Sequence, residues 1–107
     1  MDAIILSDIL PEIVKRILAV SDPRQIILFG SYARGDFDQD SDLDLLVIED
    51  QIDSINAETK RIYEVLGEVD VPVDVIVASS SYVKRYGDLI GSVIRPALRE
   101  GKVIYAR

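Results

Sequence analysis

The sequence contains no cysteine, no histidine and no tryptophan. Without cysteine the chain can form neither a disulfide framework nor a thiolate zinc site, and such a composition suits the reducing cytoplasm. Without histidine it has no Ser-His-Asp triad, no histidine general acid and no histidine metal ligand. Any chemistry must therefore rest on carboxylates, lysine, tyrosine and serine.

Long apolar runs and clusters of positive charge are lacking too. No stretch approaches the roughly 18 apolar residues that a membrane-spanning helix needs. The first ten residues, MDAIILSDIL, have neither a basic residue before the apolar stretch nor a small-residue cleavage site, so we expect no export and no membrane association. The net charge of −7 disfavours a polymeric nucleic acid as substrate, because its backbone would be repelled. A small anion held through a metal ion, or a basic protein partner, stays compatible.

Apolar residues make up 49% of the 107 residues, enough for the core of one compact domain spanning residues 1–107. Apolar spacings predict helices over 7–20, 53–67, 79–86 and 89–99. Pro11 fits only the first turn of the first helix, and Pro96 implies that the last helix kinks or begins later than its apolar stripe. Strands are predicted over 25–29, 43–48, 71–78 and 102–105, the last an edge strand or tail. This order predicts an α/β (α+β) fold, a small mixed β-sheet packed with helices.

Three aspartates stand out because they lie on or beside apolar strands. Asp42 and Asp44 are two residues apart at the start of a strand, so both side chains point to one face. Two such carboxylates repel unless a cation lies between them, and their hard oxygen atoms suit Mg²⁺ or Mn²⁺. The alternative is that Asp42 caps a loop and Asp44 is an exposed acid on an edge strand.

Asp74 interrupts the apolar strand 71–78, where an unpaired carboxylate would be costly to bury. If this strand lies beside the strand of Asp42, three carboxylates converge, as two-metal nucleotidyl transfer requires. The alternative is an aspartate at a strand end, paired with an arginine.

The first strand ends in Gly30-Ser31, where the chain turns at once. Such a turn can offer backbone N–H groups to phosphate oxygens, with the serine hydroxyl as a further donor. Gly-Ser after a strand is also common turn chemistry, and this alternative stays open.

Together, Gly30-Ser31, ten intervening residues, Asp42-Leu-Asp44 and the later Asp74 resemble the nucleotidyltransferase superfamily of DNA polymerase beta and the aminoglycoside nucleotidyltransferases. The runs Gly-Ser-Tyr-Ala-Arg-Gly and Ser-Asp-Leu-Asp-Leu-Leu-Val are most similar to the minimal nucleotidyltransferases, and this resemblance covers essentially the whole chain. Members of that family are antitoxins, often encoded beside a HEPN-domain ribonuclease toxin. They bind ATP with Mg²⁺ and transfer AMP to a tyrosine of the toxin, which silences it.

The resemblance implies a role for each motif residue. Asp42 and Asp44 would ligate both of two Mg²⁺ ions, for which Mn²⁺ could substitute. Asp74 would bind one ion and take the proton of the acceptor hydroxyl. Gly30 and Ser31 would hold the β- and γ-phosphates of ATP.

Arg34 lies one helical turn beyond Ser31 and could reach a phosphate, although a surface arginine is an equal alternative. Tyr32 and Tyr63 could stack on a base or fill the core, and we expect the core for Tyr63.

Three functional readings follow. The first is Mg²⁺-dependent AMP transfer to a tyrosine of a HEPN toxin by a cytoplasmic antitoxin of the type VII kind. The second is a non-catalytic nucleotide-binding antitoxin whose acidic surface occludes a basic ribonuclease. The third, a small-molecule nucleotidyltransferase of the aminoglycoside type, is disfavoured because those enzymes usually carry an additional helical domain for the acceptor. Homo- or hetero-oligomers are compatible with the apolar C-terminal segment.

Overall fold

The computed structural model describes residues 6–38 and 40–107. The elements in these ranges are α1 (Leu6–Val20), β1 (Gln25–Phe29), α2 (Ser31–Arg34), β2 (Leu43–Glu49), α3 (Ile55–Leu66), β3 (Val73–Ser79), α4 (Ser80–Tyr86), α5 (Arg95–Glu100) and β4 (Lys102–Ala106). None of the helices so described is long and apolar enough to cross a membrane. The expectation about export rests partly on residues 1–5, which lie outside the described residues.

The four strands form one mixed sheet in the order β3-β2-β1-β4. Strand β1 runs antiparallel to both β2 and β4, whereas β2 and β3 are parallel. The parallel pair is joined through α3, as parallel strands require a crossover. The predicted fold class is therefore confirmed. Because β2 is an inner strand, the alternative that placed Asp44 on an edge strand is wrong.

Apolar side chains cover both faces of the sheet. One face packs against α1 and α3, where Ile17 and Ile62 are fully buried against Leu45. The other face packs against α5, and its Leu46 lies in one buried cluster with Ile94, the residue before that helix. Side chains alternate along a strand, so the even-numbered residues of β2 point toward the α5 face. Asp44 lies on that second face, at the end of the sheet where β2 begins.

The placement of Pro11 corrects the sequence prediction. Within the described residues α1 already begins at Leu6, so that Pro11 lies beyond the first turn and inside the helix. A proline there removes one intrahelical hydrogen bond. The helix continues because Ile13 and Ile17, on its next turns, are completely buried in the core.

The last predicted helix is shorter than its apolar stripe. It begins only at Arg95, with Pro96 in the first turn, where a missing N–H costs nothing. Residues 87–94 form turns instead, and Gly91 in them has a left-handed φ of 91°. Of the two outcomes considered for Pro96, the later start is confirmed. Of the apolar residues of the stripe before Arg95, Ile94 is buried, whereas Leu89, Ile90 and Val93 are exposed, Ile90 to 88%.

Candidate active site

The register of the parallel β2–β3 pair places Asp44 directly beside Asp74. Paired residues of neighbouring strands point to the same face, so both carboxylates lie at one end of the α5 face. Asp42 precedes β2 by one residue, and the adjacent Leu43 N–H donates to the carbonyl of Pro72 at 2.9 Å. This bond joins the beginnings of the two strands, and the structure thus brings Asp42, Asp44 and Asp74 to the same end of the sheet.

Burial and like charge act on the partly buried Asp44. Its pKa is raised first by burial, then by the charge of Asp74 and then by that of Asp42. Such mutual repulsion between carboxylates is relieved when a divalent cation binds to them. In residues 6–38 and 40–107, no three acidic side chains lie close enough together to form a complete set of metal ligands. The donor chemistry and the shared face fit a hard divalent ion, with Asp42, Asp44 and Asp74 as the residues that would hold it.

Gly30 lies against the Asp44 carboxylate at the end of β1. Its φ is 76° and its ψ is −155°, a backbone conformation essentially restricted to glycine. A Cβ atom at this position would also collide with Oδ2 of Asp44. The Phe29–Asp44 pairing of β1 and β2 sets this close approach. Glycine is therefore required both for the backbone angles and for the space that the carboxylate occupies.

Ser31 opens the short helix α2 next to this carboxylate. The carbonyl of Gly30 accepts from the N–H groups of Ala33 and Arg34 at 3.1 and 3.0 Å, which turns the chain sharply away from the strand. Gly35 ends the helix in the left-handed conformation, with φ at 88°. The Ser31 hydroxyl has no hydrogen-bond partner in the part of the chain that the structure describes. It is thus available to a ligand beside Asp44.

Arg34 lies close enough to the carboxylates to influence them. Its positive charge offsets part of the rise that burial, Asp74 and Asp42 cause in the pKa of Asp44. The guanidinium donates to Asp36 at 3.2 Å and pairs with Glu100 at 3.6 Å, and the side chain remains 47% exposed. The predicted surface arginine and the predicted phosphate ligand are both compatible with this place.

The loop before Asp42 is held by its own hydrogen bonds. The Ser41 hydroxyl accepts from the Asp38 N–H at 3.0 Å, and the Ser41 N–H donates to the Asp38 carbonyl at 3.2 Å. The Asp40 N–H donates to the Asp38 carboxylate at 2.9 Å. Gln39 lies outside the described residues. These bonds fix the direction from which the chain enters Asp42 and β2.

Tyr63 is a residue of this site that the sequence prediction missed. Its hydroxyl donates to Oδ1 of Asp74 at 3.0 Å and accepts from the N–H of Val75 at 2.7 Å. The side chain is 38% exposed, so the prediction of a core residue is wrong.

Asp74 is exposed on the edge strand, which also corrects the argument that its burial would be costly. The alternative prediction paired Asp74 with an arginine, and no such ion pair occurs in the described residues.

Tyr32 behaves as the core alternative predicted. It is 6% exposed, and its ring stacks on that of Phe37 with centroids 4.4 Å apart and planes 8° from parallel. Its ring is thus part of the hydrophobic core.

The family comparison decides the class of protein. The model of the nucleotidyltransferase domain family matches residues 7–101. The chain belongs to this nucleotidyltransferase family. The predicted superfamily and enzyme class are confirmed at this level.

Two proteins of Methanocaldococcus jannaschii, both named as candidate protein adenylyltransferases, are similar to this nucleotidyltransferase. MJ0604 is 38% identical over 82 residues, which cover 77% of this chain and 78% of that protein. MJ0141 is 33% identical over 60 residues, which cover 56% of this chain and only 60% of that protein.

Solved structures share the fold at lower identity. A candidate nucleotidyltransferase from Sulfolobus solfataricus has a TM-score of 0.67 and 21% identity, covering 100% of this chain and 90% of that one. A toxin–antitoxin structure with AMP-PNP has a TM-score of 0.69 and 19% identity, covering 92% of this chain and 73% of that one. A mutant of the toxin–antitoxin pair MntA–HpeT has a TM-score of 0.67 and 17% identity, with the same coverage. These similarities confirm the nucleotidyltransferase fold.

Proposed function

We propose that this chain is a Mg²⁺-dependent protein adenylyltransferase. It transfers AMP from ATP to a tyrosine of a HEPN ribonuclease toxin and thereby acts as the antitoxin. The observation that carries the proposal is the placement of Asp44 beside Asp74 and against Gly30, next to the free hydroxyl of Ser31. The names of the two similar proteins support AMP transfer to a protein, and the structural neighbour with AMP-PNP supports a nucleotide in this fold.

The proposed reaction is a displacement at the α-phosphorus of ATP. The acceptor hydroxyl oxygen forms a bond to this phosphorus, the bond to the β-phosphate oxygen breaks, and pyrophosphate leaves. Asp74 takes the proton of the acceptor hydroxyl. Bound Mg²⁺, held by Asp42, Asp44 and Asp74, would neutralise the triphosphate and lower the pKa of the attacking hydroxyl.

The remaining site residues hold the triphosphate. The N–H groups and hydroxyl at Gly30 and Ser31 donate to the β- and γ-phosphate oxygens. The guanidinium of Arg34 exchanges its exposed carboxylate partners, Asp36 and Glu100, for a phosphate oxygen. This exchange costs little because the two ion pairs that Arg34 gives up are exposed to solvent.

The partner surface is proposed at the apolar residues that the core leaves uncovered. Leu89, Ile90 and Val93 are 55%, 88% and 61% exposed and lie within five residues of each other. Contiguous exposed apolar side chains of this kind are typical of protein-binding sites. They favour a protein acceptor over a small molecule.

Intact mass spectrometry tests the proposal. The chain is incubated with Mg²⁺, ATP and a HEPN ribonuclease toxin as the proposed partner, and the toxin is expected to gain the mass of AMP and to lose ribonuclease activity. Asp44→Asn should abolish the gain in mass. Loss of ribonuclease activity without added AMP, or full protection by the double variant Asp42→Asn with Asp44→Asn, would instead establish the occluding antitoxin. Transfer to an aminoglycoside but not to the toxin would establish the small-molecule enzyme.

A further inference from the structure

Strand β3 is an edge strand of the sheet, and Tyr63 closes part of that edge. Tyr63 belongs to α3, which packs on the face of the sheet opposite to Asp74, yet its hydroxyl reaches the edge between the two faces. There it accepts from the backbone N–H of Val75 at 2.7 Å. It also donates to Oδ1 of Asp74 at 3.0 Å. One hydroxyl thus joins the backbone of β3 to the carboxylate beside Asp44.

The direction of these two bonds follows from the donors available. The Val75 N–H can only donate, so it occupies a lone pair of the Tyr63 oxygen. The single phenolic proton is then left for Asp74, whose ionised carboxylate can only accept. Oδ1 is engaged by this bond while Oδ2 remains available. In the described residues Asp74 has no other hydrogen bond and no ion pair, so that Tyr63 alone restricts its rotation.

We infer that Tyr63 is a positioning residue for Asp74, which holds this exposed carboxylate in the orientation that metal binding and proton acceptance require. The inference rests on the proposed function, since it takes Asp74 as the third acid of that site. An exposed aspartate otherwise loses side-chain entropy when it becomes ordered around an ion. A neighbour that orders it beforehand raises both metal affinity and rate, as the hydrogen-bonded partners of metal ligands generally do.

A purely structural role gives a different expectation. The bond to the Val75 N–H satisfies one donor at the open edge of the sheet, and protection of an edge is useful in itself. If that were all, removal of the hydroxyl would lower stability and leave metal affinity unchanged. If the bond to Asp74 matters instead, removal of the hydroxyl should lower metal affinity more than it lowers stability.

Tyr63→Phe removes the hydroxyl and keeps the ring, and Tyr82→Phe is its matched control. The Tyr82 side chain is 42% exposed against 38% for Tyr63, and its hydroxyl has no hydrogen bond in the described residues. Mn²⁺ affinity is measured by electron paramagnetic resonance of the free ion, and steady-state AMP transfer is measured in parallel. For Tyr63→Phe we expect about tenfold weaker Mn²⁺ binding and about tenfold lower kcat, with KM for ATP within about twofold of wild type. Tyr82→Phe should match wild type in Mn²⁺ affinity.

A double variant tests whether Tyr63 acts through Asp74. In the background of Asp74→Ala, the further change Tyr63→Phe is expected to alter Mn²⁺ affinity by less than about twofold, because the carboxylate it orients is gone. A second full loss of affinity in that background would overturn the inference. So would wild-type Mn²⁺ affinity in Tyr63→Phe alone, whether or not its thermal midpoint falls.

The outcomes also separate this inference from the proposed function. If wild type binds Mn²⁺ but transfers no AMP to the toxin, the proposed acceptor is wrong, and the Mn²⁺ affinities still decide the role of Tyr63. If wild type and Tyr63→Phe transfer AMP with the same kcat and bind Mn²⁺ equally, the proposed function stands and the inference fails. If wild type binds no Mn²⁺, both are overturned.

Discussion

Position 30 has no room for a side chain, because a Cβ atom there would occupy the space of the Asp44 carboxylate. The backbone at the end of β1 and the carboxylate at the beginning of β2 are therefore in direct contact. The same glycine has a positive φ of 76°, so that two independent constraints act on one residue. They can be separated by experiment.

Gly30→Ala should damage nucleotide binding through its contact with Asp44. Any residue with a Cβ pays roughly 1–3 kcal/mol for the positive φ. Gly91→Ala carries the same kind of strain at a φ of 91°, but among the described residues, its chain neighbours apart, no atom lies within 4 Å of the new Cβ. We expect both variants to lose stability in thermal unfolding, and Gly30→Ala alone to lose about tenfold or more in Mg²⁺–AMP-PNP affinity. Equal affinities of the two variants would contradict the role of the close contact.

Arg34→Gln should weaken nucleotide binding without affecting the fold. Its ion pairs with Asp36 and Glu100 are exposed and contribute little to stability. Loss of one charge-assisted contact to a phosphate predicts a KM for ATP about tenfold higher, equivalent to ~1.4 kcal/mol. Arg99→Gln is the matched control, since Arg99 is exposed and pairs with the exposed Asp88 at 3.1 Å. An unchanged KM in Arg34→Gln would make Arg34 the surface arginine of the alternative prediction.

Glu49 and Glu58 form a buried carboxyl pair at the other end of β2. They are only 4% and 7% exposed, and Oε2 of Glu49 has no hydrogen-bond partner in the described residues. Burial, together with a hydrogen bond to Glu58 and its charge, raises the pKa of Glu49 to about 8. The hydrogen bond from Glu49 and contact with Arg61 hold the pKa of Glu58 below its usual value. The pair therefore shares one proton near neutral pH.

This shared proton predicts how stability depends on pH. The pKa of Glu49 is about 8 in the folded state and 4.5 in the unfolded chain. Between these two pH values, this carboxyl group therefore holds more of its proton in the folded protein than in the unfolded chain. Its contribution to stability is therefore complete below about pH 4.5 and is lost as the pH rises toward 8. The thermal midpoint of wild type should fall between pH 6 and pH 9, and Glu49→Gln should flatten this fall. Glu64→Gln, an exposed change of equal charge on α3, should keep the wild-type slope; equal slopes of all three proteins would refute the shared proton.

Ile90→Glu should weaken the toxin complex while sparing nucleotide binding. Ile90 is 88% exposed, so its replacement does not disturb the core. Burial of one such side chain in an interface contributes roughly 1.5–3 kcal/mol, which predicts a Kd at least about tenfold higher in calorimetry with the toxin. Leu18→Glu places the same charge on α1, against the opposite face of the sheet, and should leave the Kd unchanged. If Ile90→Glu and Leu18→Glu bind the toxin with equal Kd, the partner surface does not include Ile90.

Short-range patterns predicted much of the site. The spacing of Asp42 and Asp44 determines their common face, and Gly30-Ser31 marks the end of a strand. Those features depend on strand geometry alone, and the observed β1 and β2 have the expected positions. The convergence of Asp74 with Asp42 and Asp44 was predicted only on the condition that its strand lies beside that of Asp42, and the parallel pairing of β2 with β3 meets this condition.

The rest depends on tertiary contacts that no local pattern contains. The apolar neighbours of Asp74 suggested that its carboxylate would be costly to bury, but β3 is at the edge of the sheet and leaves Asp74 exposed. Helical periodicity assigned Tyr63 to the core stripe; its reach around that edge depends on how α3 packs. Likewise, burial of Glu49 depends on the packing of Glu58 from another element.

The most direct test is calorimetric titration of Mg²⁺–AMP-PNP into wild type and Asp44→Asn. Wild type should bind, and binding should be lost when EDTA removes the Mg²⁺. Asp44→Asn should bind at least about tenfold more weakly, because the carboxylate between Asp42, Asp74 and Gly30 is neutralised. Undiminished affinity in Asp44→Asn, or wild-type binding that is the same with EDTA, would contradict the proposed site.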